Sequence, residues 1–286
     1  MAYGKYFLSK KKPRINPKYL QALIKQALTE DIGRGDITTQ FTIPRHKKIT
    51  VKIIAKEEFL LCGITVAQKV FETVDSRIRF VKKNKDGRNV RSEEIIALVS
   101  GRAHSILRAE RIALNLLSLM SAVATKTRRF VERIKPFKTK ITDTRKTLAG
   151  LRGLQKYAVR IGGGLNHRIG LDEMLLIKDN HLRILGGSFN LPDVPKSCKI
   201  EIETQSLNEF KHALRFNPDI IMLDNMKIKD IKKAVKIRSG LPVMLEASGG
   251  ITLDNIKKYA ATGVDIISVG ELTDSVKSVD ISLEVA

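Results

Sequence analysis

The segment ITDTRKTLAGLR sets Thr144, Arg145 and Lys146 directly behind a short β-branched run, Lys140–Thr142. Further on, GGGLNHRIG puts three glycines ahead of His167 and Arg168, and LLIKDNH presents Lys178 after the apolar run Met174–Ile177. Arginine forks grip carboxylates and phosphates bidentately and lysine adds a point charge. Together these groups suit a ligand that carries several anionic groups. Ser248-Gly249-Gly250 falls between another apolar run and a helix expected to begin near Thr252, and Gly270 follows the next run. Backbone amides at a helix N-terminus can receive a phosphate there. Glu203 and Asp224 bring the opposite charge, fit for holding ribose hydroxyls or a Mg²⁺ that bridges phosphates. Taken singly, each residue has an ordinary explanation as a surface cation, a helix cap or a corner glycine. Their recurrence at the ends of apolar runs makes a site.

Those runs follow a pattern. The strand cores Ile200–Ile202, Ile220–Leu223, Val243–Leu245 and Ile266–Val269 recur about every 20 residues and alternate with amphipathic stretches. This is the repeat of β/α units in a parallel sheet or barrel, which binds ligands at the carboxyl ends of its strands. The front of the chain reads differently. Leu20, Leu23, Ile24, Ala27 and Leu28 keep helical spacing until Gly33 and Gly35, and Ile49–Ile53, Arg77–Val81 and Ile95–Val99 read as strands, with a turn at Lys85-Asp86-Gly87. Ala103 to Lys135 contains neither Gly nor Pro and predicts one long helix or two abutting ones. The expected fold class is α/β: antiparallel sheet plus helix in the front part, then a parallel β/α sheet or barrel that carries the site.

The bulk numbers narrow the partners. With 286 residues and 43% hydrophobic content the chain can bury a sizeable core. No apolar run is long enough to span a membrane, and lysines follow the short Tyr6–Leu8 patch, so a soluble protein without a secretory signal is expected. Two cysteines, Cys62 and Cys198, imply a reducing cytoplasm. The formal charge of +22 calls for anionic partners. Nucleic acid is one class, but 5% aromatic residues and no Trp leave no stacking platform, so specific nucleic-acid binding is not expected.

On these residues the sequence resembles the quinolinate phosphoribosyltransferase family, from LTEDIGRGDITT through ERIALNLLSLMSAVAT to GVDIISVGELT. The most specific pieces are DTRKTLAGLR, GGGLNHR, LLIKDNH, IEIE, MLDNM and EASGGI, in the expected order. The resemblance implies two domains, an N-terminal α/β sandwich over residues 1–117, closed by 271–286, and an open (β/α) barrel-like domain over 118–270 with the active site. It also implies a homodimer, or a higher homo-oligomer, that converts quinolinate and phosphoribosyl pyrophosphate to nicotinate mononucleotide, pyrophosphate and CO₂ with Mg²⁺, in de novo NAD biosynthesis. It implies that Arg111, Arg145, His167, Arg168 and Lys178 surround quinolinate. Lys146, Glu203 and Asp224 are the implied catalytic residues, and with Ser248, Gly249, Gly250 and Gly270 they bind phosphoribosyl pyrophosphate. Glu203 and Asp224 are also the candidate metal ligands, and Arg111 is expected to serve the partner subunit. Three positions depart from the family pattern: Ala149 stands for Pro, Ala122-Val123 for Gly-Ile and Asp274 for His. They keep open a relative found with molybdate-transport genes, or one that uses nicotinate. A basic nucleic-acid-binding protein is the alternative of a different class.

Overall fold

The computed structural model describes Leu8 and residues 13–186, 194–195 and 197–286; Tyr6 and Phe7 of the Tyr6–Leu8 patch lie outside them. In chain order the elements begin with α1 (Pro17–Ile32), α2 (Ile37–Thr42), β1 (Lys48–Ala55), β2 (Phe59–Leu60), α3 (Ile64–Val74), β3 (Arg79–Lys82), β4 (Asn89–Val90), β5 (Ile95–Arg102) and α4 (Ala103–Arg133). There follow β6 (Lys140–Thr142), α5 (Arg152–Ile161), β7 (Leu175–Ile177), α6 (Asp179–Ile184), β8 (Ile200–Thr204), α7 (Leu207–Ala213), β9 (Ile220–Asp224), α8 (Ile228–Arg238), β10 (Met244–Ser248), α9 (Ile256–Ala260), β11 (Ile266–Ser268) and β12 (Ile281–Val285).

These elements form two compact units. One comprises 13–126, 149–162 and 276–286; the other comprises Leu8, 127–148 and the described residues of 163–275. The first is built on an antiparallel sheet in the order β12-β1-β5-β3. The last strand of the chain therefore pairs with the first, Ile53 opposite Leu283. Val51, Ile53 and Ala55 alternate inward along β1 as a half-buried strand requires. Helix α3 lays Val66, Ala67, Val70 and Phe71 into the core, and the Phe71 ring lies 5.7 Å from that of Phe80 on β3. Asp86, in the expected turn, accepts the Gly63 and Ile64 N–H groups at 2.9 and 3.0 Å and so caps α3. The Tyr157 hydroxyl of α5 donates to the other oxygen of Asp86 at 2.8 Å. That contact helps tie 149–162, which a division at residues 117/118 assigns elsewhere, into the sandwich.

Asn16 starts α1, its side chain accepting from the Lys18 and Tyr19 N–H groups, with Pro17 at the first helical position, and Gly33 ends it at φ +52°. The segment from Ala103 is one helix of 31 residues rather than two, since nothing in it interrupts the backbone ladder.

The second unit holds six parallel strands in the order β6-β11-β10-β9-β8-β7. The ladder runs from β6 to β7, an open barrel rather than a closed one. Apolar residues that face the helices, among them Ile202, Ile221, Leu223, Leu245 and Ile267, are buried. Met174, Leu176 and Ile220, with Met244 against them, form an apolar cluster toward the amino ends of the strands. Val243 and Val269 lie just outside β10 and β11, so β10 sits one residue later than its apolar core predicts and takes in Glu246.

Candidate functional site

A cavity of about 700 Å³ opens at the carboxyl ends of the six strands. Its wall includes Arg145, Lys146, His167, Arg168, Lys178, Glu203, Asp224, Ser248, Gly249, Gly250 and Gly270. One fold feature brings together residues more than a hundred positions apart, because parallel β/α units point all strand ends the same way. Arg111 does not line this cavity. It lies on α4, exposed, with its guanidinium 4.0 Å from Glu110.

The basic loops are tied down from behind. Asp143, fully buried at the end of β6, accepts the His167 N–H at 2.9 Å on one oxygen and the Asn166 amide at 2.6 Å on the other. Glu173 accepts the Ile169 N–H at 2.6 Å, and the Arg168 guanidinium donates to the Met174 carbonyl at 3.0 Å. Burial, and then the charge of Arg145, pull the Arg168 pKa down, while Glu201 opposes them. An anion in the cavity relieves the first two effects. Arg145 Nε is buried with no hydrogen-bond partner among the described residues. An orphaned cationic donor in a cavity wall is a place for a carboxylate or phosphate oxygen.

Opposite lies the glycine turn. The Lys146 N–H is held by Thr144 Oγ1 at 3.0 Å, and its carbonyl accepts the Thr273 hydroxyl at 2.6 Å, leaving the ammonium stem exposed. A Cβ at Gly270 would come within 2.9 Å of Asp274 Oδ2 and 3.3 Å of the Lys146 stem, so any larger residue would have to push these two side chains aside. Gly249 and Gly250 both hold positive φ, +91° and +58°, conformations that glycine adopts at no steric cost. A Cβ at Gly249 would collide with the Asn225 side chain.

Two further acids lie deep in the site, and one of them, Glu246, lines the cavity. Glu201 on β8 and Glu246 on β10 are fully buried, with Oε2 atoms 3.1 and 3.6 Å from His167 Nε2. Burial first, and then the charge of Glu201, push the Glu246 carboxyl up to about 8. Sequence reasoning named neither as a site residue. The available signal was an acid inside an otherwise apolar parallel strand, in IEIE and MLEAS, where both faces are covered and near-continuous hydrophobicity is the rule.

Comparison with known proteins gives the family. Residues 36–121 match the family described as Quinolinate phosphoribosyl transferase, N-terminal domain, and residues 123–284 match its C-terminal domain. The chain belongs to the quinolinate phosphoribosyltransferase family. It is similar to the nicotinate-nucleotide pyrophosphorylase [carboxylating] of Mycobacterium leprae, 40% identical over 91% of this chain and 95% of that protein. It is also similar to the probable enzyme of that name from Methanocaldococcus jannaschii, 43% identical over 93% and 97%. Among solved structures, the nicotinate-nucleotide pyrophosphorylase of Francisella tularensis superposes with a TM-score of 0.90 at 39% identity, covering 97% of this chain and all of that one.

Within this quinolinate phosphoribosyltransferase fold every cavity residue that the sequence singled out lines one space, Arg111 excepted. Two of the groups able to carry positive charge are engaged within the protein. His167 Nδ1 accepts the Arg168 N–H at 2.9 Å, the role of an unprotonated ring nitrogen. Lys178 is also engaged, its ammonium 3.1 Å from Glu203.

Proposed function

We propose that the chain joins quinolinate to phosphoribosyl pyrophosphate and releases pyrophosphate and CO₂, making nicotinate mononucleotide for de novo NAD biosynthesis in the cytoplasm. The observation that carries this reading is the orphaned Arg145 Nε in the same cavity wall as Arg168, Lys178 and the Ser248-Gly249-Gly250 turn. A cationic end for a diacid thus faces a glycine-rich end for a phosphate. In this reading Arg145, Arg168 and Lys178 hold the two carboxylates, with the His167 ring as a neutral wall and Arg111 supplied by the partner subunit of a homodimer. Lys146 meets the pyrophosphate, Glu203 and Asp224 orient the ribose, and the amides from Ser248 to Gly250 and of Gly270 receive the 5-phosphate.

The chemistry follows from the charges. The pyridine nitrogen lone pair forms the bond to the anomeric carbon as the bond to pyrophosphate breaks. The ring nitrogen becomes cationic and accepts the electron pair left behind when the 2-carboxylate departs as CO₂. A proton then takes its place on the ring carbon. Fixed cations around the carboxylates and the leaving group stabilise both charge shifts at no cost of reorganisation. Mg²⁺ bound to the pyrophosphate would neutralise the leaving group. The oxygen-donor set fits such a hard ion: the Asp224 carboxylate, held by the Asn225 amide at 2.7 Å, is the more open ligand, and Glu203 is buried and paired with Lys178.

The test is direct. Purified protein, phosphoribosyl pyrophosphate and Mg²⁺ are incubated with quinolinate or with nicotinate, and nicotinate mononucleotide and CO₂ are followed. Turnover of quinolinate and not of nicotinate is expected, because two arginines and a lysine exceed what one carboxylate needs. Equal turnover of both, or of nicotinate alone, would assign the site to a monoacid.

A further inference from the structure

Buried ion pairs are costly unless the geometry repays them, and parallel strands seldom place acids at their centres. Glu201 and Glu246 do so on two strands separated by β9, and both aim at one atom, His167 Nε2. The other ring nitrogen accepts the Arg168 backbone N–H, which leaves the ring proton to Nε2, 3.1 Å from a Glu201 oxygen though not aligned as a hydrogen bond.

We propose that Glu201 and Glu246 are positioning residues for the phosphoribosyl transfer: they hold His167 in its Nε2–H tautomer, with the ring fixed in the cavity wall beside Arg168. The geometry also decides against another use of the same atoms. One ligand atom from each of His167, Glu201 and Glu246 lies within 4.8 Å of the others, close enough to surround a metal ion. A metal would require the Nε2 lone pair, which moves the ring proton to Nδ1. The Arg168 N–H would then face another N–H. Holding the ring this way serves Arg168, because the backbone N–H of Arg168 is anchored to the ring and its guanidinium has to reach the substrate carboxylates from a fixed point. Displacements of about 1 Å in such groups cost roughly 100-fold in rate.

The role rests on the transferase reading above, but its test does not. The full-length protein is labelled with ¹⁵N-histidine, and the His167 ring signals are assigned by their loss in His167→Asn. Wild type is expected to show a protonated Nε2 and an unprotonated Nδ1. Glu201→Gln, whose amide oxygen can still accept the ring proton, should keep that tautomer and retain most of the kcat. Glu201→Leu should yield mixed tautomers and lose roughly 10- to 100-fold in kcat. The KM for phosphoribosyl pyrophosphate, bound at the glycine end, should not change in either variant. If Glu201→Leu does not fold, the Glu201→Gln and Glu246→Gln spectra and rates carry the test. An imidazolium or an Nδ1–H ring in the wild type would overturn the proposal. So would one equivalent of tightly held divalent metal in the purified protein, or an unchanged tautomer and kcat in Glu201→Leu. A preparation inactive on quinolinate but with the expected ring signals would count against the transferase reading alone.

Discussion

The Lys178 ammonium donates to Glu203 Oε2 across 3.1 Å, bridging the carboxyl ends of two adjacent strands, β7 and β8. The two residues were assigned from sequence to opposite halves of the substrate pair, the diacid and the ribose. In the ligand-free protein each is the other's counter-ion, so binding must exchange this contact for contacts to substrate. Glu203 is 8% exposed at its side chain and Lys178 44%, so removing the lysine strands a buried carboxylate, whereas removing the glutamate frees a lysine that reaches water. Lys178→Met should therefore lower stability by about 1–2 kcal/mol, and Glu203→Gln by less. In the double variant Lys178→Met/Glu203→Gln most of that loss should return. Urea unfolding of the four proteins measures the coupling; strictly additive losses would show that the pair contributes nothing to the folded state.

The two adjacent glycines of the phosphate turn should respond differently to alanine. At Gly250 a Cβ meets open space, and the only cost is the left-handed backbone at φ +58°, on the order of 1 kcal/mol of stability. At Gly249 the same Cβ displaces the Asn225 amide and breaks its 2.7 Å bond to Asp224, disturbing both the turn and the carboxylate assigned to the ribose. Gly249→Ala is expected to raise the KM for phosphoribosyl pyrophosphate by roughly tenfold or more, the scale of one lost charge-assisted contact. Gly250→Ala should raise it less. Steady-state kinetics with quinolinate saturating separates them, and equal effects would mean that backbone strain, not Asn225, governs the cradle.

The pattern of strand-end residues was legible in the sequence because a parallel sheet converts position along the chain into position in space. A residue following a β-branched run must sit at the ligand face, whatever the helices between runs look like. Arg145, Lys178, Glu203 and Asp224 were readable for that reason. Glu201 was not, although it is two residues from Glu203 and on the same face of β8. An acid within a strand core belongs to no terminus, and its neighbours, Glu246 on β10 and His167 in a loop, are distant in sequence. The tautomer of His167 was not legible for a related reason: residue type fixes the capacity of a ring to be cationic, but which nitrogen accepts depends on a backbone N–H that only the folded loop supplies. Segment 149–162 was assigned to the barrel region because it lies between barrel strands in sequence; the contacts of Tyr157 and Gly153 with Asp86 and Tyr19 have no local signature.

The buried carboxyl of Glu246 makes stability depend on pH in a defined direction. Its pKa is raised to about 8 in the folded chain, so the native state keeps a proton that the unfolded chain releases near the ordinary glutamate value of about 4.3. The corresponding stability is fully present below that ordinary value and is lost as pH rises through the folded one. Midpoints of urea unfolding should fall between about pH 5 and pH 8 in the wild type, the interval between the unfolded and folded values. Glu246→Gln, which cannot ionise, should flatten that part of the profile. A wild-type midpoint that rises over this range would mean that Glu246 is already ionised at neutral pH and held by its neighbours.

Arg111 offers the sharpest test of the assembly. It stands outside the cavity wall formed by the other basic residues, exposed on α4, and among the described residues its ionic neighbour is Glu110 at 4.0 Å, too long for a strong pair. The family resemblance assigns it to the substrate carboxylates of the partner's site, and a two-fold dimer makes any such loan reciprocal, because each subunit lends the patch that it also receives. Arg111→Ala and Lys146→Ala homodimers should then each be inactive, since every site lacks one of the two residues. In a mixed dimer both lesions fall on one site and the other keeps every native group, so up to half of the mixed dimer's sites regain activity. Mixing the two variants under conditions in which native mass spectrometry confirms subunit exchange should restore turnover of quinolinate. A mixture that exchanges subunits and stays inactive would place Arg111 in its own subunit's site or in the fold alone, and the shared-site dimer would have to be given up.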